Sequence, residues 1–291
     1  MRNGRSLRLT PASCGVIGGG RMGAGIAHAL LLADARVVLV ERDADAAAAA
    51  EQRIGRAVHG SVARGQLTDA RPVLARLSTA TDAAALADAA LVIEAVPEDV
   101  LLKLDTFRRI ATAVAPDAVI ASNTSSISLD LLADAVPHPE RFIGLHFFNP
   151  VPASKLVEVV LCAYTSGELR LQAEGWVREW GKTPVTVKNA PGFASSRLGV
   201  AIALEAIRMV EEDVAAPADI DAAMTLGYGF PMGPLRLTDL VGVDVRLGIA
   251  RYLEHEIGPR FSPPQLMVDM VERGELGRKS GRGFYDWSHE A

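Results

Sequence analysis

The stretch GLHFFNPVPASKLVEVV, from Gly144 to Val160, puts one histidine at the end of an apolar run and follows it with Asn-Pro. A lone glutamate comes twelve residues after the histidine. His146 and Glu158 are the residue types that a proton transfer needs. An imidazole can give and take a proton at working pH, and a carboxylate on its other ring nitrogen fixes the tautomer and stabilises the imidazolium. ASNTSS adds Asn123, Ser125 and Ser126 at the end of another apolar run, and Asn149 follows the histidine closely. Spacing alone leaves a second reading open. The histidine could be structural, the glutamate could face solvent under period-2 alternation, and the Ser and Asn residues could be turn formers. No second histidine stands nearby at ligand spacing and there is no Cys cluster, so no metal site is expected.

A second group of residues lies near the start. CGVIGGGRMGAGIAHAL contains Gly18-x-Gly20-x-x-Gly23, with Arg21 and Met22 inside the motif. The glycines follow a β-rich run and open a helical one, as a dinucleotide-binding loop requires. Gly18 permits the tight turn, Gly20 lets the backbone approach a pyrophosphate, and Gly23 lets helix and strand pack closely. The free N–H groups and positive dipole end of the helix then face the phosphates. The run RVVLV ends at Glu41, 18 residues after Gly23. A carboxylate there binds both ribose hydroxyls and repels a 2′-phosphate, so NAD is favoured over NADP. Arg42 is the neighbour that could accept such a phosphate instead. The alternatives are a glycine-rich turn that binds nothing, and FAD, for which the chain has little room.

The elements that must position these groups alternate. Short β-rich runs appear at CGVIG, RVVLV, ALVIEAV, AVIASN, RFIGLHFF and KLVEVV. Helical segments at Met22–Ala33, Asp43–Arg64, Val100–Ala113 and Glu168–Gly181 separate most of them. Ala44–Ala50 belongs to a helix, because Ala is the best helix former. Strands alternating with helices predict an α/β fold, a Rossmann-type doubly wound and mostly parallel sheet. The last strands are joined too briefly for full helical crossovers, which predicts some antiparallel or irregular pairing there. Beyond VTVKNAPGF the pattern becomes helical, so the chain is expected to divide at about residue 189. Residues 1–188 would form the dinucleotide-binding domain that carries His146. Residues 189–291 would form a smaller all-α C-terminal domain. Its apolar helix over Leu198–Val210 needs cover on several faces, which predicts a homodimer.

The bulk numbers restrict the setting. A chain of 291 residues, 49% hydrophobic with net charge −5, is a globular protein without the basic excess that nucleic acid or an anionic membrane would select. Cys14 and Cys162 sit in apolar runs and read as inert core thiols. The start, MRNGRSLRLTPAS, is too polar for a secretory signal and no apolar run approaches membrane-spanning length. A cytoplasmic protein is the expectation.

Together the motifs resemble the L-3-hydroxyacyl-CoA dehydrogenase family over nearly the whole chain. They occur in order: GGGRMGAGIA, VIEAVPEDVLLK, SNTSS, GLHFFNPVP, KLVEV, PGF, GYGFPMGPLRLTDLVGVD and GRKSGRGFYDW. The resemblance implies NAD-dependent oxidation of (S)-3-hydroxyacyl-CoA to 3-oxoacyl-CoA, run in either direction on a short acyl chain, by a protein that dimerises through its helical domain. It implies that His146 is the catalytic acid/base and Glu158 its partner. It also implies that Ser125 contacts the substrate oxygen, that Asn149 lies by the nicotinamide, and that Glu98, Lys103 and Lys279 contact NAD. Asn123, at the end of its strand, is counted with the NAD-facing residues.

Two departures bear on the substrate. The chain reads PGFASSRL, so Ser196 holds the place of an Asn in the family's catalytic set. The basic segment after the second strand is short, leaving Arg53, Arg56 and Arg64 as candidates for CoA phosphates or as ordinary surface charges. These departures keep two rivals open: a dehydrogenase of a free hydroxy acid, and a non-catalytic NAD-binding subunit. A dicarboxylic acyl group is a further option, with Arg197, Arg236 or Arg246 available to pair with its far carboxylate.

Overall fold

A computed structural model describes residues 9–289, so the reading of the first eight residues falls outside it. The chain divides into two compact units, the first ending at Asn189 and the second beginning at Ala190.

The first unit is built on one eight-stranded sheet of order β3-β2-β1-β4-β5-β6-β7-β8. In chain order these are β1 (Ser13–Ile17), β2 (Arg36–Val40), β3 (Leu77–Ala80), β4 (Leu91–Glu94), β5 (Val119–Ser122), β6 (Phe142–Phe147), β7 (Leu156–Leu161) and β8 (Thr183–Lys188). Every pairing is parallel except β6 with β7, where the short NPVPASK connection returns the chain antiparallel. Helices α1 (Arg21–Leu32), α2 (Ala44–Ala63), α3 (Arg71–Leu74), α4 (Val100–Ala113), α5 (Leu129–Ala133) and α6 (Gly167–Glu179) supply the connections. Strands buried on both faces read as unbroken apolar runs, and β4, β5 and β6 are buried at every residue.

Local chemistry sets the helix starts. Asp43 accepts a hydrogen bond from the Ala46 N–H, Asp99 from Leu102, and Ser166 from Leu169, each capping the helix that follows. The helical residues packed in the core around the sheet include Ile26, Leu30, Ile54 and Trp176. Cys14 and Cys162 are free buried thiols. Strand β3 and the four-residue α3 are not among the elements expected from the sequence.

The second unit holds α7 (Ser195–Glu211), α8 (Pro217–Tyr228), α9 (Pro234–Val241), α10 (Val243–Ile257) and α11 (Gln265–Glu272). Prolines open α8 and α9, where the missing N–H costs nothing. Leu204, Ile207, Leu247, Leu253 and Met267 form the core of this unit. Two buried aspartates fasten its last turns. Asp239 accepts from the N–H groups of Phe284 and Tyr285 and from Trp287 Nε1, at 2.9–3.0 Å. Asp221 accepts from the Leu235 and Arg236 N–H groups and from the Tyr285 hydroxyl. Most of PMGPLRLTD and GRGFYDW is thereby explained as a structural latch.

Candidate active site

Parallel strands present their carboxyl ends on one edge of a sheet, and open α/β sheets bind ligands there, at the point where the strand order reverses. That point lies between β1 and β4, each of which pairs with the other. The glycine loop leaves β1 at this place. Gly18 has φ +91°, a conformation side chains rarely adopt, and a Cβ there would lie 2.7 Å from the Ala95 carbonyl oxygen. A Cβ on Gly23 would collide with the Gly18 carbonyl. At Gly20, the N-cap of α1, nothing lies within 4 Å of a Cβ position, so the backbone is open to a ligand. Arg21 is exposed and Met22 half-buried in the first turn of α1, which carries no acidic residue. An anion therefore meets bare N–H groups and the positive helix end.

Glu41 follows β2 at the same edge. Its Oε1 accepts from the Gly19 N–H at 2.7 Å and its Oε2 from the Arg42 N–H at 3.1 Å. The carboxylate is thus fixed beside the loop, where an adenosine ribose would lie in a dinucleotide fold. Arg42 turns to Asp43, with Nε and Oδ2 3.0 Å apart. These residues fit NAD: an open glycine backbone, a helix N-terminus and an anchored carboxylate. Arg53, for which CoA contact and an ordinary surface charge were both open, has a contact of its own. Its Nη1 donates to the Gly19 carbonyl at 3.1 Å and so braces the glycine loop. Arg64 is taken up by Ser61 and Gln66.

The antiparallel return of β7 brings its start to the same edge as the end of β6, and the register sets His146 directly opposite Glu158. His146 Nδ1 and Glu158 Oε2 are 2.8 Å apart. The two residues are 7% and 1% exposed, which excludes the reading of Glu158 as a solvent-facing residue of an alternating strand. Burying a carboxylate this completely requires a partner, and the imidazole is one. Phe148 lies against the imidazole, its ring centroid 4.5 Å away.

A second network, running from the buried Lys103 to the exposed Glu98, supports the loop after β5. Glu98 accepts from the Thr124 hydroxyl at 2.6 Å and from the Ser125 and Ser126 N–H groups at 3.0 and 3.1 Å. Burial pushes the Glu98 carboxyl up, but the Lys103 charge and these hydrogen bonds outweigh it and hold the carboxyl below its usual range. Lys103 is 1% exposed, its Nζ 2.5 Å from Glu94 Oε1 and 3.3 Å from Glu98 Oε2. Its charge therefore acts from beneath the loop. Asn123 accepts from the Phe147 N–H at 2.9 Å, tying the end of β5 to the end of β6 beside His146. Asn149 is exposed just past β6.

Glu94 is absent from the sequence reading. It is buried at the end of β4, accepts from Lys103 Nζ, the Ser122 hydroxyl and the Val96 N–H, and is raised in pKa by burial. The signal for it was a charged residue closing the apolar run LVIE.

In the second unit, Ser196 lies half-buried in the first turn of α7. Lys279 donates to Asp244 Oδ2 at 2.6 Å. Among the described residues no group of three metal-ligating side chains gathers anywhere.

A doubly wound sheet with a dinucleotide loop, and a buried His–Glu pair on its carboxyl edge, defines an NAD-dependent dehydrogenase. Residues 13–190 match the family model for the 3-hydroxyacyl-CoA dehydrogenase NAD-binding domain, and residues 192–287 match that for its C-terminal domain. The chain belongs to the 3-hydroxyacyl-CoA dehydrogenase family. It is 42% identical to a 3-hydroxybutyryl-CoA dehydrogenase of Mycobacterium tuberculosis, over 94% of this chain and 97% of that one. It is 43% identical to a 3-hydroxyadipyl-CoA dehydrogenase of Escherichia coli, covering 98% of this chain but 61% of that relative's length. The crystal structure of an (S)-3-hydroxybutyryl-CoA dehydrogenase from Ralstonia eutropha matches with a TM-score of 0.91 at 37% identity, over 96% of this chain and 99% of that one.

Proposed function

We propose that the chain interconverts (S)-3-hydroxyacyl-CoA and 3-oxoacyl-CoA with NAD, on short acyl groups such as 3-hydroxybutyryl. The observation that carries this reading is the His146–Glu158 pair, 2.8 Å apart and buried. NAD, when bound, supplies the acceptor for the hydride that leaves C3 of the substrate. His146, its Nδ1 held by Glu158, takes the hydroxyl proton through Nε2 and returns it in the reverse direction. Ser125 hydrogen-bonds the substrate oxygen, and Asn149 orients the nicotinamide. Ser196 stands in the catalytic set where the family often has Asn. Gly18, Gly20, Arg21, Met22 and Gly23 hold the pyrophosphate and Glu41 the adenosine ribose. Glu98, Lys103, Asn123 and Lys279 complete the NAD-facing surface, with Lys103 fixing Glu98. The working form is a homodimer assembled through the second unit, in the cytoplasm.

One residue favours a second reading. A serine at position 196 has a shorter reach than the family's asparagine, which would suit a free hydroxy acid. NADH oxidation with acetoacetyl-CoA, with free acetoacetate, and with NADPH in place of NADH separates the two. Turnover that requires NADH and the thioester is the expected result. Turnover of free acetoacetate at a matching rate would replace the first reading with the second.

A further inference from the structure

Among the described residues, Arg246 is a buried cation without a counter-charge. It lies in the first turn of α10 and is 7% exposed. Its Nε has no hydrogen-bond partner, and among the described residues no carboxylate pairs with its guanidinium. The acidic residue in the same turn, Asp244, is taken by Lys279. The positive end of the helix adds repulsion, since a cation belongs at the other terminus. Burial pulls the pKa of Arg246 down to about 10, which still leaves it charged near neutral pH. A buried unpaired charge is among the costliest arrangements in a fold, and it calls for an anion that arrives from outside.

The guanidinium rests on α7. A Cβ on Gly199 would lie 3.0 Å from Arg246 Nη1, so a glycine there lets the fork lie close to the helix. Ser196 is three residues earlier on α7, which puts it on the same helix face one turn away. The other two arginines considered for this role differ. Arg236 stacks on Tyr285 and Trp287, its Cζ 5.5 and 4.7 Å from the ring centroids. Arg197 is only half-buried.

We infer that Arg246 binds a carboxylate at the far end of the acyl chain, so that among acyl chains of equal length the enzyme prefers the 3-hydroxyacyl-CoA thioester that ends in a carboxylate. The inference rests on the dehydrogenase reading and on the place of Ser196 in its catalytic set. A planar guanidinium suits this ligand because two parallel N–H groups match the two oxygens of a carboxylate. Ser196 and the fork lie within about one helical turn of each other along α7. A plain alkyl chain of the same length would leave the buried charge unanswered.

The test compares 3-oxoadipyl-CoA with 3-oxohexanoyl-CoA, which have equal chain length and differ in the terminal carboxylate. Wild-type kcat/KM should favour the dicarboxylic substrate by about 100-fold, as expected where a buried polar site is left unpaired by the analogue. Arg246→Met should bring that ratio close to one, and Arg246→Lys should leave a value between the two. A wild-type ratio at or below one overturns the inference whatever the variants do, including variants that fail to fold. A high ratio that persists in folded Arg246→Met overturns the role of this residue. Turnover of acetoacetyl-CoA together with a ratio of one sinks only this inference. No turnover of any of these thioesters removes the dehydrogenase reading and this one with it.

Discussion

A carboxylate 1% exposed in the middle of a sheet is stable only when its charge is answered, and for Glu158 the His146 ring gives that answer. The same contact sets which ring nitrogen can work on the substrate. Glu158→Gln should keep the fold and NADH binding but offer the ring a donor as readily as an acceptor. The wrong tautomer then competes, and kcat should fall by at least about 100-fold. Stopped-flow rates beside NADH titrations test this, and an unchanged kcat would remove the positioning role. Glu41→Ala should weaken NADH binding by about tenfold, measured by fluorescence titration, because the ribose hydroxyls lose their acceptor. The His–Glu pair was only half legible in the sequence: spacing left a structural reading open, and it was the family motif HFFNP with its downstream Glu that joined the two residues. Glu94 with Lys103, and Arg53 with Gly19, were not legible, because each contact joins elements whose spacing along the chain carries no periodic signal.

Helix α1 carries a group with its own pH signature. His28 is 1% exposed, its Nε2 lies 3.0 Å from the Ser61 hydroxyl of α2, and its Nδ1 has no hydrogen-bond partner. Burial lowers its pKa from 6.5 to about 4, and the charges of Arg64 and Lys182 add to the effect. The unfolded chain therefore binds this proton more readily than the folded one. Stability is full above pH 6.5 and falls as pH drops toward 4, by about 3 kcal/mol. Urea unfolding of His28→Gln should lose that slope, and a slope equal to that of the wild type would assign it elsewhere. In the second unit, Asp239→Ala leaves the Phe284, Tyr285 and Trp287 donors without their acceptor. It should cost about 3 kcal/mol, seen as a lower urea midpoint, with no midpoint change counting against the latch. Long periodic helices such as Val100–Ala113 were read correctly from the sequence. Strand β3 and helix α3 were missed because four residues do not establish a period. PMGP and GRKSGRGFYDW marked the family in the sequence, whereas their part in enclosing Asp221 and Asp239 needed the fold.

At the scale of the molecule, the second unit leaves Leu198, Leu226 and Tyr228 exposed, apolar side chains that the proposed dimer would have to cover. Sedimentation equilibrium should return twice the chain mass, and a monomer at micromolar concentration would contradict the proposed dimer. The fold class was legible from alternating strands and helices, and the antiparallel β6–β7 pair from their short connection. The nature of the acyl group was not: the sequence offers Arg197, Arg236 and Arg246 alike, and only the fold shows that Arg246 alone of the three is buried. The central claim is that His146 carries the proton for an NAD-linked reaction on a CoA thioester. The most direct measurement is NADH oxidation with acetoacetyl-CoA by the wild type and by His146→Ala, with NADH affinity measured on both. The account predicts turnover by the wild type, a loss of about 1000-fold in the variant, and equal NADH affinity. Turnover by the variant near the wild-type rate would contradict it.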